Sequence, residues 1–219
     1  MKRMTLLLPL VLSLAAPPSM AFGFGVRAGT QGLGGDLGFT LGDDWSLRLG
    51  YAQWKYDRTL TITDIDYDAT LKLANASALL EWHPWGPFRL TAGIVGTRNR
   101  ISVNGLPLDT QYRINGTVYA ASEIANLGGT VRVGKSVAPY VGFGYGIVAR
   151  SGVNFYADLG VMYQGAPRAE LSAACAASLT TERCTRLRSD VLAEQAQLAN
   201  KVRNFKWYPT LNLGLTLGF

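Results

Sequence analysis

The chain has 219 residues, 48% hydrophobic and 16% charged, with 25 glycines, two cysteines, one histidine and a formal net charge of +6. That length makes one domain or one barrel, and a charge so mild and dispersed gives no ground for nucleic-acid binding. Beyond the N-terminal segment no apolar run is long enough for a spanning helix, so any membrane embedding must use strands.

Lys2 and Arg3 precede an apolar run from Thr5 to Ala16, and Ser19-Met20-Ala21 is a small-x-small cleavage site. Residues 1–21 therefore read as a secretory signal peptide, with a mature start at Phe22. Losing Lys2 and Arg3 lowers the formal charge from +6 to +4. No Cys follows the cleavage point, which argues against lipoprotein processing.

Gly23 to Leu41 is glycine-rich. Phe24, Val26 and Ala28 alternate on one parity, and Leu33, Leu37, Phe39 and Leu41 on the other. The switch near Gln31-Gly32 is a short hairpin loop or a bulge. After a turn at Gly42-Asp43-Asp44, Leu47, Leu49 and Tyr51 alternate with Ser46, Arg48 and Gly50. Trp54 and Tyr56 fall off that parity, which predicts a bulge near Ala52-Gln53. Arg58 to Asp66 reads as a polar loop. Tyr67 to Trp82 is a second crossing with its own parity switch, and residues 83–87 read as a turn holding His83 and two prolines.

Phe88 to Ile94 is a further strand, and Ser102 to Ser122 a longer polar connection. Asn126 to Val133 and Val141 to Ile147 read as two strands around a Lys135-Ser136 turn. Gly142, Gly144 and Gly146 share the inward face, so large side chains from facing strands should fill that space. Phe155 to Tyr163 continues the pattern, Gly165-Ala166-Pro167 reads as a turn, and Arg168 to Ala174 as a short strand.

Leu187, Val191, Leu198, Val202 and Phe205 then recur at helical spacing, with Thr181 as the expected cap. The helical insertion spans 177–206. Cys175 and Cys184 fit one disulfide in an oxidising compartment, worth about 3 kcal/mol for so short a loop. This segment either tidies a long connection or forms a recognition surface over the barrel mouth.

The last strand is the clearest. Trp207, Pro209, Leu211, Leu213, Leu215, Leu217 and Phe219 form one apolar face, opposite Tyr208, Thr210, Asn212, Gly214, Thr216 and Gly218. An apolar face toward lipid and a small polar face toward a lumen is the pattern of a membrane barrel strand. The expected fold is all-β: a closed antiparallel up-and-down transmembrane β-barrel with one amphipathic helix before the last strand. The count is eight strands, or ten if the glycine-rich stretch splits and the Arg168 strand is separate.

The inward charges are Arg48, Lys72, Glu81, Arg89, Arg132 and Asp158. In so narrow a barrel they form a salt-bridged plug or line a narrow anion-preferring path. Barrel enzymes need a nucleophile or activated water beside a base, usually His. The sole His83, flanked by Trp82 and Pro84, reads as a headgroup-level turn residue. No catalytic, cofactor or metal site is expected.

Asn212, Gly214, Leu217 and Phe219 resemble the C-terminal sorting signal of bacterial outer-membrane proteins, which implies recognition by the barrel-assembly machinery. From Phe22 to Phe219 the chain resembles small barrels of the OmpA membrane-domain or OmpW type. The resemblance rests on the strand pattern, on Pro139 to Gly146 (Pro-Tyr-Val-Gly-Phe-Gly-Tyr-Gly) and on the terminal Phe. It implies a Gram-negative outer-membrane location and contact with membrane lipid and lipopolysaccharide, and it names no activity. The expected role is structural or surface-interacting, with an unknown surface ligand left open, and the alternative is a narrow porin-like channel for small solutes. The Cys-bearing helix departs from that pattern.

Overall fold

The structure, a computed structural model, describes residues 21–62, 65–105 and 111–219. The expected signal peptide, apart from Ala21, lies outside the described residues. Eight strands close into an antiparallel ring. In order around it they are β1 (Phe22–Gly29), β2 (Gly32–Thr40), β3 (Trp45–Ile62), β4 (Ile65–Trp85) and β5 (Phe88–Thr97). β10 (Val137–Tyr145), β11 (Gly152–Tyr163) and β13 (Trp207–Gly218) complete it. β13 pairs back on β1, where Phe219 N donates to Phe22 O at 2.8 Å. Phe22 and Phe219 therefore lie on one rim, here the terminal rim, with the connections 41–44, 86–87 and 146–151. The opposite rim carries the larger structures.

There the sheet continues as a wall. β6 (Arg100–Gly105) pairs with β4, β9 (Ile124–Arg132) with β6, and β12 (Arg168–Cys175) with β9. A hairpin of β7 (Gln111–Ile114) and β8 (Thr117–Ala120) and the helix α1 (Thr181–Val202) complete the module. This resolves the count. The glycine-rich stretch does split, at a tight turn around Thr30-Gln31, and the Arg168 strand does exist. Lys135-Ser136 and Gly165-Ala166-Pro167, however, are not hairpin turns. They are kinks at which β9 runs on into β10 and β11 into β12; with β5 running on into β6 across residues 98–99, eleven segments make eight staves.

Two other sequence expectations are corrected. Arg58 to Asp66 is not a loop, because β3 and β4 pair from Trp45↔Trp82 to Ile62↔Ile65. Nor does that register shift near Gln53, so no bulge explains the parity switches. The apolar residues change faces because the strands leave the membrane. Inside it, Leu47, Leu49, Ala76 and Leu80 face outward; beyond it, Trp54, Tyr56, Leu71 and Leu73 occupy the face that continues the lumen. β9–β10 and β11–β12 reach the same inversion differently. Their apolar residues keep one sequence parity, and the kinks at 133–136 and 164–167 turn it to the other face.

Outside the ring the barrel presents an apolar belt, with Val26 66%, Ile94 54%, Val141 56%, Phe155 52% and Leu215 55% exposed. Aromatic contacts mark both rims: Phe22–Phe219 and Trp45–Trp82 at the terminal rim, Tyr163–Trp207 at the other. A belt this large is untenable in water, while a bilayer matches it.

α1 packs its Leu187 and Val191 on Tyr112, Ile114, Tyr119 and Ile124. Its cap is Thr180 rather than Thr181: Arg183 N donates to Thr180 Oγ1 at 3.4 Å. Leu198 and Val202 are half-buried, but Phe205 lies beyond the helix end and is 67% exposed. Cys175 and Cys184 are disulfide-bonded at the helix entrance.

Candidate functional site in the barrel lumen

The period of two that places Leu and Val on lipid places their neighbours inside the ring. Arg48 of β3, Glu81 of β4, Arg89 of β5 and Asp158 of β11 meet at its centre, each side chain at most 2% exposed. Arg48 Nε lies 2.8 Å from Glu81 Oε1 and its Nη1 2.7 Å from Asp158 Oδ2. Arg89 Nη2 lies 2.7 Å from Asp158 Oδ1, and its Nε 3.4 Å from Glu81 Oε1. Two guanidiniums and two carboxylates thus form a neutral cycle that spans the lumen. Pairing of this kind is what lets charges persist away from water. Both guanidiniums also stand over the Tyr156 ring, at 4.9 and 5.0 Å from its centroid, a cation–π arrangement.

A second buried pair, Arg27 Nη1 and Asp36 Oδ1 at 3.4 Å, lies beside this cycle. Tyr156 links the two by donating its hydroxyl proton to Asp36 Oδ2. Glycines on the inner face make room for these groups: of the three expected there, a side chain at Gly144 would strike Asp158, whereas Gly146 lies past the end of β10 in the rim connection. A side chain at Gly214 would strike the Tyr156 ring, and one at Gly160 the Tyr140 ring.

Both ends of the lumen are occupied as well. At the terminal rim the 146–151 connection folds inward, with Val148 and Ala149 each 1% exposed. Arg89 Nη1 secures it by donating to Gly146 O at 2.5 Å. At the other rim Gln31 turns inward from the β1–β2 turn and accepts from Asn75 Nδ2 at its carbonyl, 2.9 Å.

Of the six inward charges expected from sequence, four meet in this cycle and two do not. Lys72 and Arg132 lie on the wall, beyond the ring, and Arg132 pairs with Glu170 on an exposed surface. Sequence reasoning missed Arg27 and Asp36, which sit in the ambiguous glycine-rich stretch. It also missed Tyr156, which shares the inward parity of Asp158.

His83 differs from expectation too. β4 runs to Trp85, so His83 is a strand residue facing the lumen, 7% exposed. Its Nε2 lies 2.9 Å from Ser46 Oγ, and Ser46 donates to Glu81 Oε2 at 3.0 Å. Ser, His and an acid in contact invite comparison with a nucleophilic triad. The order is wrong: the carboxylate contacts the serine, whereas a triad has it orient the imidazole. Ser46 is also 3% exposed, inside a packed lumen, out of reach of a substrate.

Asn212 and Gly214 of the terminal strand face the lumen, whereas Leu217 and Phe219 face outward at the terminal rim.

Closed ring, apolar belt and ion-paired interior together make the chain an outer-membrane β-barrel. No protein-family model matches the sequence, and no curated protein does. Among solved structures, Acinetobacter baumannii CarO overlays with a TM-score of 0.58 at 24% identity, over 90% of this chain and 97% of that one. Acinetobacter baumannii CarO2 overlays at 0.60 and 21% identity, over 92% and 100%. A looser overlay, 0.44 at 16% identity over 90% and 99%, is to a major outer membrane protein from Thermus thermophilus. The likeness to CarO and CarO2 is one of fold.

Proposed function

We propose that this protein is a closed, non-conducting and non-enzymatic barrel whose work is done by the wall, hairpin and helix it displays outside the cell. The observation that carries this reading is the Arg48–Glu81–Arg89–Asp158 cycle, which fills the lumen with paired charge. Barrels of about eight strands have interiors that side chains can fill, and here the 146–151 connection closes one end as well.

Orientation follows from the connections. Outer-membrane barrels keep short turns on the periplasmic side and longer elements outside, so the terminal rim is periplasmic and the wall external. Phe219 then stands where assembly machinery in the periplasm would meet it, in keeping with the sorting-signal resemblance. Eight strands also suit the OmpA-membrane-domain and OmpW type, from which the wall and helix depart.

Planar-bilayer recording tests the closed lumen. The purified protein should add no discrete conductance steps. Repeated steps that disappear on neutralising Arg89 would instead establish a narrow channel. Lipid A unchanged in a strain overexpressing the protein is the expected result for a non-enzyme.

A further inference from the structure

Where the wall leaves the barrel, five cations stand in register across five strands. Lys55 of β3 is opposite Lys72 of β4, Lys72 is opposite Arg100 of β6, Arg100 is opposite Arg132 of β9, and Arg132 is opposite Arg168 of β12. Residues directly opposite in an antiparallel ladder project from the same face, so the five form a single row. Parity sets that face: it continues the outward positions Leu49, Tyr51 and Gln53 on β3, and Leu80, Ala78, Ala76 and Ala74 on β4. The row is thus the first step above the lipid-facing belt, at headgroup height.

Like charges directly opposite one another destabilise a sheet, and here four such pairs follow in succession. Only part of the row is neutralised from within the chain. Lys55 Nζ lies 2.7 Å from Asp57 Oδ2, and Arg132 is paired with Glu170. Among the described residues Lys72, Arg100 and Arg168 have no carboxylate at ion-pair distance. Lys55, Lys72 and Arg100, together with the neighbouring Arg98, line an open groove of about 790 Å³.

We propose that this row binds the phosphate groups of the phosphorylated glycolipid of the outer leaflet, the lipid part of lipopolysaccharide. The inference rests on the external placement of the wall given above. A phosphate carries strong acceptor oxygens that the arginine fork matches in a charge-assisted, bidentate way. Phosphates of lipids packed around the barrel would stand along the row and relieve its self-repulsion, so the lipid fastens the base of the wall to the membrane surface.

The test is a titration of the intact purified protein in detergent micelles with fluorescent bisphosphorylated lipid A, its dephosphorylated form, and inorganic phosphate as competitor. The variant K72Q/R100Q removes two unpaired cations. R168Q removes one from the edge strand β12 and serves if the double variant misfolds. R188Q, on the exposed face of α1, is the charge control.

At about fivefold per surface cation, K72Q/R100Q should weaken lipid A binding about thirtyfold and R168Q about fivefold. R188Q should bind as wild type, and removing the lipid's phosphates should abolish the difference between variants. Wild-type affinity in folded K72Q/R100Q and in R168Q, equal binding of dephosphorylated lipid, or an equal loss in R188Q would each overturn the proposal. Competition by free phosphate at concentrations matching the lipid would make this a soluble-anion site and overturn the lipid assignment. Orientation is read separately, by surface labelling of intact cells, so its failure is distinguishable from failure of the lipid site.

Discussion

Replacing Asp158 by Asn should destabilise the barrel by about 3–5 kcal/mol, the usual cost of breaking a buried ion pair from one side. Asp158 is 2% exposed, and its two oxygens hold Arg48 and Arg89 at 2.7 Å each. Asn keeps the shape but removes one of the two negative charges that balance two guanidiniums. Glu81 alone then faces both, and its contact with Arg89 is the longer one, 3.4 Å.

The assay is urea unfolding of protein refolded into lipid vesicles, followed by tryptophan fluorescence, with mobility of unheated samples on gels reporting the closed barrel. Glu170→Gln is the control. It breaks the Arg132–Glu170 pair, whose side chains are 50% and 53% exposed, and should change stability by less than about 1 kcal/mol. An Asp158→Asn barrel equal in stability to the control would mean that the lumen is water-filled and its charges hydrated, since only such charges tolerate that change.

Other outcomes follow from the same geometry. Gly214→Val should cost about 1–3 kcal/mol by overpacking against Tyr156, read in the same unfolding assay. Cys175→Ser with Cys184→Ser should loosen the start of α1 by up to about 3 kcal/mol yet leave ring unfolding unchanged, because the disulfide lies on the wall; hydrogen exchange separates the two. The Tyr119–Asp190 contact gives the helix a pH window. Tyr119 OH donates to Asp190 Oδ2 at 2.6 Å, which with Asn115 holds the Asp190 carboxyl below its usual range. Burial and that bond push the Tyr119 phenol up to about 12. Asp190 therefore supports docking above the ordinary carboxylate range of about 4, and the support fades as pH falls through its depressed value. Tyr119 supports it fully below about 10 and loses it as pH rises toward its raised value. Exchange of α1 amides should be slowest between these limits, and Tyr119→Phe should flatten both edges.

The barrel was legible wherever one strand faces lipid on one side only. β13 shows why: Leu211, Leu213, Leu215 and Leu217 alternate with small or polar residues without a break. Arg48, Glu81, Arg89 and Asp158 could be placed inside by parity alone. What alternation could not supply was the membrane boundary. Trp54 and Leu73 look like slipped register in a strand read as spanning throughout, yet their pairing is continuous and only the surrounding medium changes. Val131 and Leu171 mislead in the opposite way: their parity matches the barrel strands, and a kink turns them to the other face. For the same reason Lys72 and Arg132 read as lumen charges, although they mark the edge at which the wall begins. Val148 and Ala149 carried no signal, because a short apolar turn folded into a lumen has no periodicity.

A barrel that works through its wall must hold the wall and the terminal rim on opposite sides of the membrane. Single cysteines at Ser189, on the exposed side of α1, and at Asp43, in the terminal-rim turn, are introduced into a Cys175/Cys184-free background. Intact cells are then treated with a membrane-impermeant maleimide. Ser189→Cys should label in intact cells and Asp43→Cys only after lysis. The reverse pattern would place the wall in the periplasm and contradict a barrel that works at the cell surface.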